Sequence, residues 1–414
     1  MSSPFQRLPF QRLPACGLIV RLVIVSLVVS LVSWSAIGHG DSATKNSETK
    51  EAAKGVGGEE LLTQANWEIF RGNTEAAGVA TGKLPAELSV AWKFTVKNGA
   101  FESTPVIVDG VVYIGDLDGT LYAIDLASGK EKWSKELAFG FIASPAVRGG
   151  RLFIGDLDGI VFCINTENGE TIWKYTTQAE VDSSVNFYKE NVLIGSQDAT
   201  LYCLSQDKGK LIWKHTIDDQ IRCSPTVVDN RAFLAGCDGK LHIIDLDKGE
   251  SIDTVPINSP TGVTPAVRGD HVFFGTEGGQ FFCIDWKKAK VVWSYQLATG
   301  GQAFRSSAAV TGELAIVGAR DRRVYAFKQG TGAVAWQLPT KGKVDSSPVV
   351  VGGRAFVGSS DGHVYAIDLN NGKISWDYEA GGSFTGSAAV ASNRLVIAND
   401  DGIVYCFGPK AKGS

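Results

Sequence analysis

The chain has one methionine and five histidines in 414 residues, and none of its seven cysteines stands beside another. No CxxCH segment is present, which excludes c-type haem attachment. No GxSxG, HExxH or phosphate loop occurs either, so a hydrolase elbow, a zincin site and a nucleotide cradle are all missing. The histidines fall at His39, His215, His242, His271 and His363, without metal-like pairing. A cationic excess is also lacking. The formal charge is −4, and residues 1–40 contain Arg7, Arg12 and Arg21 with no acid, so the remainder carries −4 − 3 = −7. That balance argues against a nucleic-acid partner.

Glycine is abundant, at 48 residues, and it punctuates a repeat. Gly115–Trp133 reads GDLDGTLYAIDLASGKEKW, and forty residues later the chain reads GDLDGIVFCINTENGETIW. Tryptophans recur at Trp92, Trp133, Trp173, Trp213, Trp293, Trp336 and Trp376, with a doubled gap centred on Asp253. A second marker, the small or hydroxyl pair that opens each unit, gives Ser103, Ala143, Ser183, Cys223, Val263, Ser306, Ser346 and Gly386, and so counts eight. Inside each unit four short β-type segments alternate with turn signals. The period-2 pattern and the β-branched and aromatic content exclude a helical solenoid.

Units of this length predict an all-β fold, an eight-bladed β-propeller with four-stranded antiparallel blades. The last unit stops after three strands, whereas LSVAWKFTV at 88–96 is a tryptophan strand with nothing before it. Pairing of the N- and C-terminal strands is therefore expected to close the ring. The predicted organisation is residues 1–40 as signal peptide or signal anchor, 41–64 as flexible linker, 65–87 as lead-in and 88–410 as propeller. The apolar run LVIVSLVVSLVSWSAIG behind three arginines supports export, with an uncleaved anchor as the alternative. The expected location is the periplasm or cell envelope, with membrane contact only through that segment if it is uncleaved.

The spacing Ala123-x-Asp125-x-x-x-Gly129-x-x-x-Trp133 resembles the tryptophan-docking motif of quinoprotein-type, or pyrroloquinoline quinone (PQQ)-like, propeller repeats. It recurs in full at Ala366, Asp368, Gly372 and Trp376, and partial copies include Cys163, Asn165, Gly169 and Trp173. The segment NWEIFRG at 66–72 looks like the lead-in of many bacterial PQQ-like repeat proteins. The resemblance implies one of two branches. One is PQQ-dependent alcohol dehydrogenases, which use a vicinal cysteine pair and calcium. The other is a non-catalytic branch similar to BamB of the outer-membrane assembly machinery, whose usual lipoprotein cysteine after the apolar segment is missing here. With no catalytic constellation visible, the expectation is a monomeric protein-interaction scaffold in the cell envelope, with no cofactor and a protein partner. PQQ with calcium, or a carbohydrate- or polymer-binding role using Phe101, Phe141, Phe304 and Phe384, are the alternatives.

Cys163, Cys203, Cys283 and Cys406 share one blade position with alanines and read as packing residues. Cys223 and Cys237 lie on neighbouring strands of one blade, where a disulfide demands particular geometry. The turns containing Asp116, Asp118, Asp156, Asp158, Asp198, Asp238, Asp321, Asp361, Asp400 and Asp401 suit tight hairpins, and they lack the further oxygen ligands of a calcium loop. These turns and the inter-blade links share one face, which is expected to be acidic. There Glu102, Asp182, Arg222, Arg305 and Asp345 are expected near the channel mouth. Blade six interrupts the pattern with ARDRR, so Arg320, Arg322 and Arg323 form a candidate basic docking patch with Arg305. Arg322 takes a glycine slot that should need positive φ, at a cost on the order of 1 kcal/mol. Trp286 has no equivalent in other repeats and is either a wedge filler or an exposed binding anchor.

Overall fold

The second and third strands of each unit are almost continuous buried runs, such as Val111–Gly115 and Thr120–Asp125. The fourth strands alternate, as in Thr171–Thr176. Strands covered on both faces belong inside a stack of sheets, and the alternating ones belong at its rim. The computed structural model describes residues 63–137, 139–298 and 303–409, and they form eight four-stranded antiparallel sheets arranged as an eight-bladed propeller. The signal or anchor read at 1–40, and the linker up to residue 62, lie outside the described residues.

Blade eight is made from both ends of the chain, in the order Leu88–Thr95, Ile403–Pro409, Arg394–Ala398, Ala389–Ala391. Leu88 pairs with Pro409 and Thr95 with Ile403, and the register slips between Val90 and Trp92. The same slip occurs where the third strand meets the fourth in the other blades, for example between Ala123 and Ile124. The amino-terminal strand thus occupies a standard fourth-strand position.

A ring of hydrogen bonds joins the blades around the axis. In each blade the second residue of the opening pair donates its backbone N–H to the hydroxyl at the same position of the next blade. The bonds run Thr104 to Ser144, Ser144 to Ser184, Ser184 to Ser224 and Ser224 to Thr264. They continue Thr264 to Ser307, Ser307 to Ser347, Ser347 to Ser387 and Ser387 back to Thr104. All eight donor–acceptor distances lie between 2.9 and 3.1 Å. All eight residues are buried.

Farther out, indoles fill the wedges. Each docking tryptophan pairs across its sheet with a small residue, such as Ala123 with Trp133 or Cys203 with Trp213. Its indole N–H then donates to a carbonyl of the next blade: Trp133 to Thr166 at 2.9 Å, Trp213 to Leu246 at 3.1 Å, Trp376 to Leu88 at 3.0 Å. The ring lies on the next blade's glycine. At Gly249, where φ is +72°, a Cβ would stand 2.6 Å from the Trp213 ring. Blade four has Asp253 instead, and three neighbours differ with it. Ile243 replaces the small partner, Ala289 replaces the following glycine, and Trp286 enters from blade five. Trp286 packs edge-on to Phe233 at 5.4 Å and donates to the Gly269 carbonyl at 3.0 Å. Half-buried against the blade-four cluster, it fills the wedge.

The acidic turns are self-capping. Asp116 Oδ1 accepts from the N–H groups of Asp118 and Thr120, and its Oδ2 accepts from the Tyr122 hydroxyl at 2.9 Å. Asp198, Asp321 and Asp361 accept from Tyr202, Tyr325 and Tyr365, while Asp238 meets His242 Nε2 at 2.8 Å. These carboxylates turn inward, whereas Asp118, Asp158, Asp400 and Asp401 stay exposed on the same turns. Blade two has Phe162 at the tyrosine position, and the buried Asp156 Oδ2 is left without a hydrogen bond. Burial raises the Asp156 pKa.

Two substitutions test this packing. Gly249→Ala should lower the unfolding free energy by about 2 to 4 kcal/mol in urea titrations, combining backbone strain with a clash, whereas Ala289→Gly should change it by less than about 1. Phe162→Tyr should stabilise by about 1 kcal/mol by giving Asp156 a donor. A raised carboxyl pKa makes ionisation unfavourable to the folded state as pH rises through that pKa. The gain should therefore be larger at pH 7 than in acid, where Asp156 is protonated.

Candidate functional site

The residue before each opening pair lies on the link between blades, and five of these positions are charged: Glu102, Asp182, Arg222, Arg305 and Asp345. There the charged residues singled out in sequence form separate local pairs with neighbouring side chains. Arg320 holds Asp345 in a two-pronged pair, with Nε at 2.9 Å from Oδ1 and Nη2 at 2.6 Å from Oδ2. This bond raises the guanidinium pKa further. Arg305 Nε donates to Glu277 at 3.0 Å. Arg222 donates to Gln220 at 3.1 Å and to Gln197 at 3.3 Å, and Gln197 in turn donates to Asp182 Oδ2 at 2.8 Å. Asp182 Oδ1 has no hydrogen bond and is buried. Burial raises the Asp182 pKa, Arg222 opposes the rise, and nearby Glu102 adds to it.

The basic patch of blade six is partly neutralised by its own turn. Arg323 lies 3.2 Å from Asp321, so it is not a free cation. Arg322 does adopt positive φ, at 67°, and its exposed side chain has no ion-pair partner among the described residues. Two lysines extend the patch that the sequence did not single out. The link to blade seven turns at Thr340–Lys343, where Thr340 N–H donates to the Arg322 carbonyl at 2.9 Å. Asp361 Oδ2 accepts from the Lys341 and Gly342 N–H groups. Lys341 and Lys343 are exposed on this link, whose Thr340 bonds to Arg322. Their signal was present as TKGK, but only the turn geometry brings them to ARDRR. The result is an arc of unpaired cations next to ion pairs that hold their carboxylates in place.

Other expectations are corrected by packing. Phe101, Phe141, Phe304 and Phe384 are buried between blades and offer no aromatic platform in the loops. Gly275 lacks the Cβ that would stand 2.2 Å from Phe304. No disulfide joins Cys223 and Cys237.

A quinone with calcium would need free carboxylate ligands at this site, and the resemblance also implies a vicinal cysteine pair. The six described cysteines are buried and separate, and burial pushes the thiols of Cys163, Cys203, Cys223, Cys283 and Cys406 up to about 12. Glu277 and Asp345 are engaged by arginines, and no group of three potential metal ligands gathers among the described residues. The residues present do not fit that group.

Among solved structures, the chain is similar to a europium-containing methanol dehydrogenase, with TM-score 0.70 and 12% identity over 83% of this chain and 98% of that one. It is similar to the quinohemoprotein alcohol dehydrogenase from Comamonas testosteroni, with TM-score 0.71 and 13% identity over 84% of this chain and 81% of that one. It is also similar to the computationally designed Ika8 protein, with TM-score 0.69 and 17% identity over 77% and 99%. These likenesses establish the fold. No curated protein matches the sequence significantly. A family model described as outer membrane protein assembly factor BamB matches residues 85–295 and 296–411. With its repeat motifs, its closed eight-bladed ring and this match over most of its length, the chain belongs to the PQQ-like propeller family of BamB.

Proposed function

We propose that the protein is a non-catalytic interaction scaffold of the cell envelope that docks an acidic segment of a protein partner on its loop face. The observation that carries this reading is the arc formed by Arg322, Lys341 and Lys343. Arg322 accepts a left-handed backbone, a cost on the order of 1 kcal/mol for a side chain, and projects an unpaired charge beside two unpaired lysines. Arg305 and Arg320, held by Glu277 and Asp345, form a preorganised rim. Exposed cations of this kind chiefly govern encounter and salt dependence, while the fixed pairs set orientation. The chain is proposed to act as an exported monomer in the periplasm or envelope, and the dehydrogenase neighbours supply the competing reading.

The test compares wild type with Arg322→Glu, Lys341→Glu and Lys343→Glu combined, using affinity capture from native envelopes and mass spectrometry. A specific partner should be retained by wild type and lost by the variant, with an unchanged melting temperature. Retention of every partner, or dye-linked alcohol oxidation after adding PQQ and calcium, contradicts the proposal.

A further inference from the structure

The first strand of each blade has a neighbour on one side only, so eight strand edges face the central channel. At the face opposite the loop mouth these edges are not bare. The lead-in runs around them in blade order and meets each in turn. The Gln64 carbonyl accepts from Ser392 of blade eight at 2.8 Å. Trp67 exchanges two backbone bonds with Ile107 of blade one, at 2.7 and 2.9 Å. Glu68 accepts from Val147 of blade two, and Thr74 accepts from Val227 of blade four, both at 2.8 Å. Glu75 accepts from Val267, Ala77 from Val310 and Gly78 from Val350, at 2.8 to 2.9 Å. Blade three differs, because Asn186 caps its own Phe187 N–H and instead donates its side-chain amide to Thr74 at 2.9 Å. A bridge between Thr63 and Gly82 closes the collar.

Two side chains anchor it. Trp67 is completely buried, and Gly72 lies so close that a Cβ would stand 2.7 Å from the indole. Arg71 leaves the backbone between the contacts to blades two and four, then crosses to the Ala308 and Pro348 carbonyls of blades six and seven, at 3.0 and 2.6 Å. Its guanidinium is buried, and Nε and Nη1 have no partner. Burial pushes its pKa down to about 9, so the charge persists at neutral pH. Gly78 makes room for it, since a Cβ there would stand 1.9 Å from Nη2.

The collar therefore meets the blades as a ligand does, mainly through main-chain carbonyls, with the Trp67 and Ala80 N–H groups also donating, and through two side-chain anchors. It forms isolated bridges but adds no strand to any sheet. We infer that the channel mouth opposite the loop face is a peptide-binding site, filled here in cis by residues 64–80. It takes a segment with tryptophan four residues before an arginine–glycine pair. The convergent N–H groups read the main chain, so affinity comes from the circuit and specificity from the two anchors. The tether at 81–87 makes occupancy intramolecular, which raises the effective concentration of the resident segment. The buried and incompletely bonded guanidinium works against closure, because release returns it to water.

The full chain carrying Trp67→Ala and Arg71→Ala tests this with a fluorescein-labelled synthetic peptide of residues 63–82. The variant should bind the wild-type peptide saturably, and bind a peptide carrying Arg71→Ala at least tenfold more weakly. Unaltered protein, with its site filled, should bind the wild-type peptide at least tenfold more weakly than the variant does. A cooperatively melting variant that binds neither peptide, or both equally, overturns the inference. Should the variant not fold, hydrogen exchange on the unaltered chain decides. The Val147, Val227, Val267, Val310 and Val350 amides should exchange together, at least tenfold faster than third-strand amides such as Ala123. Exchange of both sets only by global unfolding contradicts it.

Discussion

The hydroxyl ring around the axis is the constraint on which the rest of the molecule depends. A serine or threonine side chain is long enough to reach the backbone N–H of the preceding blade and short enough to keep the inner strands close. Eight such bonds of nearly equal length fix the pitch between blades. Each contributes about 1 kcal/mol net, so geometry is their larger contribution: the bond from Ser387 to Thr104 forms only if all eight blades advance by compatible angles. Closure also requires blade eight to be complete, which ties the axial ring to Leu88–Thr95 at the outer rim.

From that pitch follows the shape of the gaps farther out. Sheets that touch at the axis diverge with radius, and the indoles fill the divergence while their N–H groups find carbonyls across it. Blade four shows that the gap, and not the tryptophan, is what must be satisfied. With Asp253 in place, Ile243, Ala289 and Trp286 together occupy the space from the other side. The two faces of the disc then differ in use. Loop-face turns use one aspartate each as a cap in blades one to four, six and seven, while Asp118, Asp158, Asp400 and Asp401 stay exposed. The blade six and seven link carries exposed cations, and the opposite mouth is covered by the chain's own lead-in.

What was legible in sequence was whatever repeats. Blade number, strand order and terminal pairing follow from periodicity, and even the positive φ of Arg322 follows from its alignment with glycines such as Gly119 and Gly362. The opening pairs were visible as small or hydroxyl residues, although nothing in their identity says that the second member bonds to the next blade. Features that occur once were hidden. Trp67 and Arg71 meet residues dozens to hundreds of positions away, and no spacing rule connects Arg71 with Ala308 or Pro348. Lys341 and Lys343 join Arg322 through a turn rather than a motif. An aspartate in a DxDG turn looks the same in sequence whether it points to water or caps backbone N–H groups.

Residue-resolved hydrogen exchange of the ring amides, Thr104, Ser144, Ser184, Ser224, Thr264, Ser307, Ser347 and Ser387, tests the central claim most directly. If the ring is the shared constraint, all eight should exchange with one free energy equal to that of global unfolding, and Ser184→Ala should lower protection at all eight by the same amount. Loss of protection confined to Ser144 and its neighbours, with the remaining ring amides unaffected, would show that the blades are held independently and would contradict the account.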